Sequence, residues 1–476
     1  MNRNSVVSDK PSIVWANNRI LDVDRIDSKF YDVKFIKKQT KLMESHLPIM
    51  KLKDIITNMN APIGWQGIPS SAYRKKGQGI PLIRIQNIKD NQVDLDSVID
   101  VDPNIYEEQP AIQAEKNDII ITRVGTIGRL CKVPSDVSKV AMGQNLTRVS
   151  FNTDKVDVDF ILTYMNTDYC LNQMLRFAYG GVQPSLTNKN IKDLLIVLPE
   201  LKFQNYIGDK IRKVERLREE AKVLKAEAKK ILYKTIAEED ILKIFRGDDS
   251  LSTWVEQEII ETRRLDANFY KEVYVDFDEY IYRNKDKFIK LKDIAILSKQ
   301  RADLIKYGEK FIYLDISSLN EDTGVFEENE IYTNEAPSRA QKLVCLNDIL
   351  VSTVRPNRKG IGIVTNDFDQ QVASTGFAIL QAKVNPYFLL LLLRNDIVTK
   401  QLIRFTSGGL YPAISEEELM EIYVPIVPEN VMIQIGEKMK LYFSNLENSK
   451  KLILEAKKDV ESLIEGTFDK KVTEAK

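Results

Sequence analysis

The chain has 476 residues, enough for several buried cores, and its 69 basic and 69 acidic side chains cancel, so any nucleic-acid reading must rest on local clusters. Cys131, Cys170 and Cys345 are too scattered for a metal spacing or a disulfide framework, which fits a reducing cytoplasm. No apolar leader opens the sequence, and its longest apolar run, Tyr387 to Leu393, is too short to span a bilayer, so a cytoplasmic protein away from membranes is expected.

The first element in chain order is a polar amphipathic stretch at 25–46 that opens with RIDSKFY. It ends at His46, the only histidine, read as an exposed helix-end residue rather than a base. KLKDI follows at 51–55, then β-type runs at 80–88 (IPLIRIQNI), 118–124 (DIIITRV) and 146–151 (LTRVSF). A helix is expected over 159–175, then a tight turn at Gly180-Gly181, a short strand ending in proline at 196–200, and a long helix. The same series then begins again. RLDANFY at 264–270 and KLKDI at 290–294 repeat the earlier motifs 239 positions on. Asn347-Asp348-Ile349 repeats Asn117-Asp118-Ile119 at 230, whereas GGLYPAIS at 408–415 and IGEK at 435–438 repeat GGVQPSLT at 180–187 and IGDK at 207–210 at 228. Strands at 310–317, 348–354 and 375–382 and a helix at 386–403 fill the second series. Near-constant offsets over half a chain mean a duplicated domain, and two similar modules suit a ligand with two similar halves.

Each series closes on a long helix. Ile435, Met439, Tyr442, Leu446, Ser449, Ile453, Ala456, Val460 and Leu463 alternate spacings of four and three, a coiled-coil seam. Ile207, Ile211, Val214, Leu217, Ala221, Leu224, Ala228 and Ile231 follow the same rule with one slip after Val214. Each helix could pack only on its own domain, but a narrow seam favours pairing with another narrow seam. At 1.5 Å per residue such a helix is about 50 Å long.

Catalytic signals are missing. There is no phosphate-binding loop, dinucleotide fingerprint or metal-ligand spacing, so no catalytic residue, cofactor or metal is assigned. Asn385-Pro386-Tyr387-Phe388 looks like an adenine-methyltransferase motif but lacks its second proline, and a strand-to-helix junction is the better reading. Binding signals are present. Tyr73, Arg74, Lys75 and Lys76 form a basic loop before a strand that carries Arg84, Gln86 and Asn87, side chains able to neutralise phosphates or pair with guanine and adenine edges. Arg123 and Arg129 stand about Gly125 and Gly128, glycines that let a backbone approach phosphate. The second half offers Lys299 and Arg301, then Arg355, Asn357, Arg358 and Lys359 in STVRPNRKG. Solvated arginines on ordinary hairpins, and neutral drift of the loops, are the alternatives.

With DIIITRVGTIGR, STVRPNRKG, ASTGFAIL at 373–380, the two GG-x-x-P turns and the two proline-to-coiled-coil junctions in one duplicated order, the chain resembles the specificity subunit of type I restriction-modification enzymes. The resemblance implies an α+β chain with two α/β target-recognition domains that each read half of a split duplex DNA site. Two long helices would pair as an antiparallel coiled coil with pseudo-twofold symmetry and set the gap between half-sites. It also implies two methylation subunits and motor-nuclease subunits as partners. The expected divisions are an arm at 1–50, a first recognition domain at 51–199, a central helix at 200–245, a linker and repeated arm at 246–287, a second recognition domain at 288–428 and a last helix at 429–476. The arm and its repeat are candidate partner-docking elements. A scaffold binding only proteins is the second reading, and a methyltransferase a third.

Overall fold

The computed structural model describes residues 25, 27–62, 68–89, 91–135, 137–179, 183–246, 266–407 and 412–473. Both glycine pairs, half of the expected arm, and much of the 246–287 linker with the first residues of RLDANFY lie outside them. The chain forms two compact units, one of residues up to Leu217 with those from Asn448 onward, the other Arg218–Glu447.

Unit 1 begins with α1 (Val33–Met43), followed by β1 (Ile56–Asn60), β2 (Ile80–Ile83), β3 (Ile119–Thr122), β4 (Leu130–Lys132), β5 (Val140–Met142) and β6 (Leu146–Phe151). One antiparallel sheet has the order β4-β3-β6-β1, and a second runs Tyr73–Arg74, Ile99–Val101, β2, β5, Gln113–Ala114, with β2 and β5 parallel. All four residues of β3 are buried, which is why Ile119-Ile120-Ile121 reads as a continuous apolar run instead of an alternation. Next come α2 (Val158–Met165), α3 (Asp168–Phe177) and α4 (Leu201–Thr235), whose residues up to Leu217 belong to this unit.

Unit 2 repeats the plan with α5 (Glu272–Arg283), β7 (Ala295–Leu297), β8 (Lys310–Leu314), β9 (Ile349–Ser352), β10 (Ile361–Ile363), β11 (Val372–Ser374) and β12 (Phe377–Ala382). α6 (Pro386–Leu393), α7 (Asp396–Arg404) and α8 (Glu429–Glu465) complete it, α8 passing into unit 1 at Asn448. The sheet order β10-β9-β12-β7 matches that of unit 1, and β8 and β11 are parallel as β2 and β5 are. The duplication written in the sequence is a duplication of fold.

Three repeated details explain the repeated motifs. In RIDSKFY, Phe30 is buried and its carbonyl accepts from Arg176 Nε at 2.8 Å, with the guanidinium over its ring at 4.0 Å. In RLDANFY, Phe269 meets Arg404 in the same way at 3.0 and 4.3 Å, and Asp278 adds a bidentate pair to that arginine. These rings are anchors inside each unit, so this part of the expected docking arm is used internally. Asp157 and Asn385 cap α2 and α6, which makes the Asn-Pro-Tyr-Phe string a helix start, as expected. Each cap lies against the glycine of IGDK or IGEK. A Cβ on Gly208 would fall 2.3 Å from Asp157 Oδ1, and one on Gly436 2.3 Å from Asn385 Cγ, so only glycine lets the long helix pass the cap.

The long helices pack together in each unit. In unit 1, Lys210 of α4 reaches Asp459 (2.7 Å) and Glu455 (3.6 Å) of α8. In unit 2, Lys438 of α8 reaches Glu227 of α4 at 2.6 Å, and Asn445 Nδ2 is 3.4 Å from Glu220. Early residues of one helix meet late residues of the other, which makes the pair antiparallel. The contacts are reciprocal, because Lys438 and Glu455 stand 228 positions after Lys210 and Glu227. Val214, Ala221, Ala228, Ile435, Met439, Tyr442, Ala456 and Val460 are buried along the predicted seams, and Ile207 and Ile435 also enter the cores of their own units.

One matched site differs sharply. In unit 1, Lys132 on β4 is 8% exposed and ion-paired with Asp159 of α2 and, at 2.9 Å, with Glu215 of α4. Arg212 adds bonds to Asp157 (2.9 Å) and Asp159 (3.0 Å). At the same places in unit 2 stand Ile363, opposite Ile349 as Lys132 is opposite Ile119, then Tyr387 and Phe443, with ring centroids 5.8 Å apart. Among the described residues, no helix is long and apolar enough to cross a membrane.

Candidate nucleic-acid interface

β2 of unit 1 ends at Ile83, and the chain turns through Arg84–Asn87. Asn87 builds this turn. Its Oδ1 accepts the Arg84 N–H at 3.0 Å, and its Nδ2 donates to the carbonyl (3.1 Å) and hydroxyl (3.0 Å) of Ser97. Because Asn87 is 0% exposed with its amide consumed in the fold, its expected role at a base edge is corrected to a structural one. Gln86 is exposed, and Arg84 is half-buried with an Nε that has no acceptor among the described residues.

β3 ends at Thr122, whose hydroxyl lies 3.0 Å from the Arg129 carbonyl and helps close the next turn. The Arg123 N–H donates to the Asn145 carbonyl at 2.8 Å, and its Nη2 to the Pro62 carbonyl at 3.2 Å. Its Nε is also buried without an acceptor among the described residues, and burial lowers its pKa. The Gly143 N–H donates to the Ile83 carbonyl at 2.8 Å. The β5–β6 turn therefore ties the Arg84 turn to Arg123 and brings both arginines to one end of the strands. Arg129 is exposed in the β3–β4 turn.

The earlier basic loop divides. Arg74 is ion-paired with Asp102 (2.5 Å) and donates to the Ser71 and Tyr73 carbonyls, so its guanidinium helps to build the loop. Tyr73 (42% exposed) and Lys75 face solvent. Lys76 pairs with Asp96 at 3.1 Å, beside the Ser97 that holds Asn87, in an exposed contact worth about 1 kcal/mol or less that a phosphate could replace.

In unit 2, β8 leads into a matching turn, Asp315–Ser318. The Asp315 N–H donates to Ser318 Oγ at 3.0 Å, and the Asp315 carboxylate accepts from the Ser318 N–H (2.9 Å) and the Ser317 hydroxyl (2.7 Å). After β9, the Thr353 N–H donates to the Gly376 carbonyl at 2.9 Å, so Thr353 stands where unit 1 has Arg123. Arg355 takes the place of Gly125. Both have left-handed backbones, at φ 51° and 82°, and their N–H groups donate to Pro412 (2.8 Å) and Pro184 (3.0 Å). An arginine in that conformation costs about 1–2 kcal/mol, strain of a kind that gathers at functional sites.

Asn357 and Arg358 are exposed, the latter 4.0 Å from Glu321. Lys359 is ion-paired with Asp396 at 2.5 Å. Lys299 and Arg301 are exposed, and Arg301 forms a backbone bridge with Lys342 beside β11. A search for basic loops passes over Asp315 and Ser317, which only alignment of the two repeats through their strand ends brings out.

The family model for the type I restriction modification DNA specificity domain matches residues 48–229. A putative type I restriction enzyme MjaX specificity subunit from Methanocaldococcus jannaschii is 26% identical over 175 residues, 35% of this chain and 37% of that relative. The type I restriction enzyme EcoBI specificity subunit from Escherichia coli is 26% identical over 172 residues, 36% of this chain and 35% of the relative. The chain thus spans a little over a third of the length of the curated relatives it matches. A crystal structure of a type I restriction-modification system S subunit from M. genitalium aligns over 90% of this chain and 97% of its own, at 13% identity and a TM-score of 0.44. The specificity-domain match covers β1 to β6 and α4 up to residue 229, and unit 2 repeats that frame.

Proposed function

We propose that the chain is the DNA specificity subunit of a type I restriction-modification complex. Each unit binds one half of a two-part duplex site through the turns at its strand ends. Two methylation subunits then modify adenine and motor-nuclease subunits restrict, so recognition is the chain's contribution and catalysis is theirs. On this reading the complex works in the cytoplasm. The observation that carries it is a specificity-domain match over unit 1 joined to a second unit with the same sheet order. Arg84 and Arg123, each with an Nε that has no acceptor among the described residues, suit a polyanion that brings its own acceptors.

The test is genome-wide adenine-methylation mapping in cells with and without the gene. Loss of one split methylated motif is expected. An unchanged map, together with no DNA shift by the reconstituted complex, would leave a protein-binding scaffold. The helices give a second expected result. Seven residues removed from both α4 and α8 shorten each by about 10 Å, so the accepted spacer is expected to shrink by about 3 base pairs. An unchanged spacer in the same mapping assay would refute a ruler role for these helices.

A further inference from the structure

We propose that the capped turn after the central strand is a base-reading element in both units and that it reads opposite chemistry in the two half-sites. Unit 1 presents the donor-only guanidinium of Arg84 beside Gln86, whose amide both donates and accepts, whereas unit 2 presents acceptors, Asp315 and Ser317. This inference rests on the DNA-specificity reading above and adds the class of base edge that each unit takes.

The two turns are equivalent by register. Ile83 pairs with Met142 across the parallel strands as Leu314 pairs with Ala373, so Arg84 and Asp315 are each the first residue past the same strand end. Both turns close through the side chain three residues on, Asn87 in one and Ser318 in the other. In unit 1 this leaves the Arg84 side chain without a capping duty, and its buried Nε finds no acceptor among the described residues. A buried donor without a partner costs about 1–3 kcal/mol, and guanine O6 and N7 would supply what is missing.

In unit 2 the Asp315 carboxylate accepts one bond on each oxygen, from Ser318 and Ser317. Each oxygen keeps lone-pair capacity, which suits the amino group of cytosine or adenine. A carboxylate also repels phosphate, so an acid held at this edge favours a base contact over a backbone contact.

Methylation maps of cells carrying Arg84→Gln or Asp315→Asn test the pairing, with the full chain and its partner subunits present. Asparagine keeps the helix-cap geometry at Asp315, so that variant preserves the turn. Arg84→Gln is expected to relax one base position in one half-site, with discrimination falling about tenfold or more, and to leave the other half intact. Asp315→Asn is expected to relax one position in the opposite half only. Two unchanged motifs, or two variants that alter the same half-site, would overturn the proposal. Should Arg84→Gln abolish methylation altogether, Gln86→Ala at its exposed neighbour decides, and an intact motif there also overturns it. If the parent chain yields no two-part motif, it is the DNA-specificity reading that fails.

Discussion

Lys132→Ile in unit 1 is expected to lower stability by about 3–5 kcal/mol, whereas the triple change Lys132→Ile, Asp159→Tyr and Glu215→Phe is expected to restore most or all of it. The single change leaves Asp159 and Glu215 facing an aliphatic side chain in a site from which Lys132 is almost wholly shielded. Arg212 still holds Asp159 at 3.0 Å, which places the loss toward the lower end of that range. The triple change installs the set that unit 2 already uses at the same three positions, Ile363, Tyr387 and Phe443.

The physical reason is that burying ions is expensive, and their mutual attraction returns that cost only while every partner is present. A packed apolar set avoids the desolvation altogether. The fold therefore accepts either solution, and the pair of variants separates the worth of the charges from the worth of the shape. Chemical denaturation monitored within unit 1 gives the comparison. A triple variant as unstable as the single one would mean that the two frames are not interchangeable at this site.

How far the fold was legible in the sequence follows from what repeats. Motifs with a fixed steric or capping task kept their spelling. Gly208 and Gly436 admit the caps Asp157 and Asn385, Phe30 and Phe269 anchor Arg176 and Arg404, and Asn117 and Asn347 both take left-handed backbones at φ 66° and 68°. The long seams were legible for the same reason, since an apolar position every three or four residues admits few other structures. The candidate site was less so. Composition marked Arg74, Asn87 and Lys359 as available cations and amides, but a sequence carries no sign that Asp102, Ser97 and Asp396 consume them across the sheet and loops. The backbone bonds align Arg355 with Gly125 and Arg123 with Thr353, so the two units carry their arginines at different places of the same turn. The offset of 230 that relates Asn117 to Asn347 already gives this alignment, and the strand register agrees with it.

Register also places Asp118 and Asp348 together, and substitution by asparagine is expected to act on them with opposite signs. Asp118 is buried and held by Arg148 at 3.1 Å and by the Ser150 hydroxyl at 2.6 Å. Asp348 has Ile379 where unit 1 has Arg148, since Ile349 pairs with Leu380 as Ile119 pairs with Val149. Its carboxylate accepts the Cys345 N–H at 2.8 Å, and burial, with Asp369 nearby, pushes it up to about 6 from an ordinary 3.8. Between about pH 4 and pH 6 the unfolded chain has released this proton while the folded chain keeps it. Stability therefore falls as pH rises through that window, by about 3 kcal/mol at 1.36 kcal/mol per pKa unit. Asp348→Asn keeps the acceptor for Cys345 and removes the ionisation. It is expected to raise the melting temperature at pH 7.5 by up to about 6–12 °C and to change little at pH 4. Asp118→Asn is expected to lower it at pH 7.5, because Arg148 loses its carboxylate partner. Calorimetry of both variants at the two pH values decides the matter. A gain for Asp348→Asn that persists undiminished at pH 4 would mean that the carboxylate's charge is not its source.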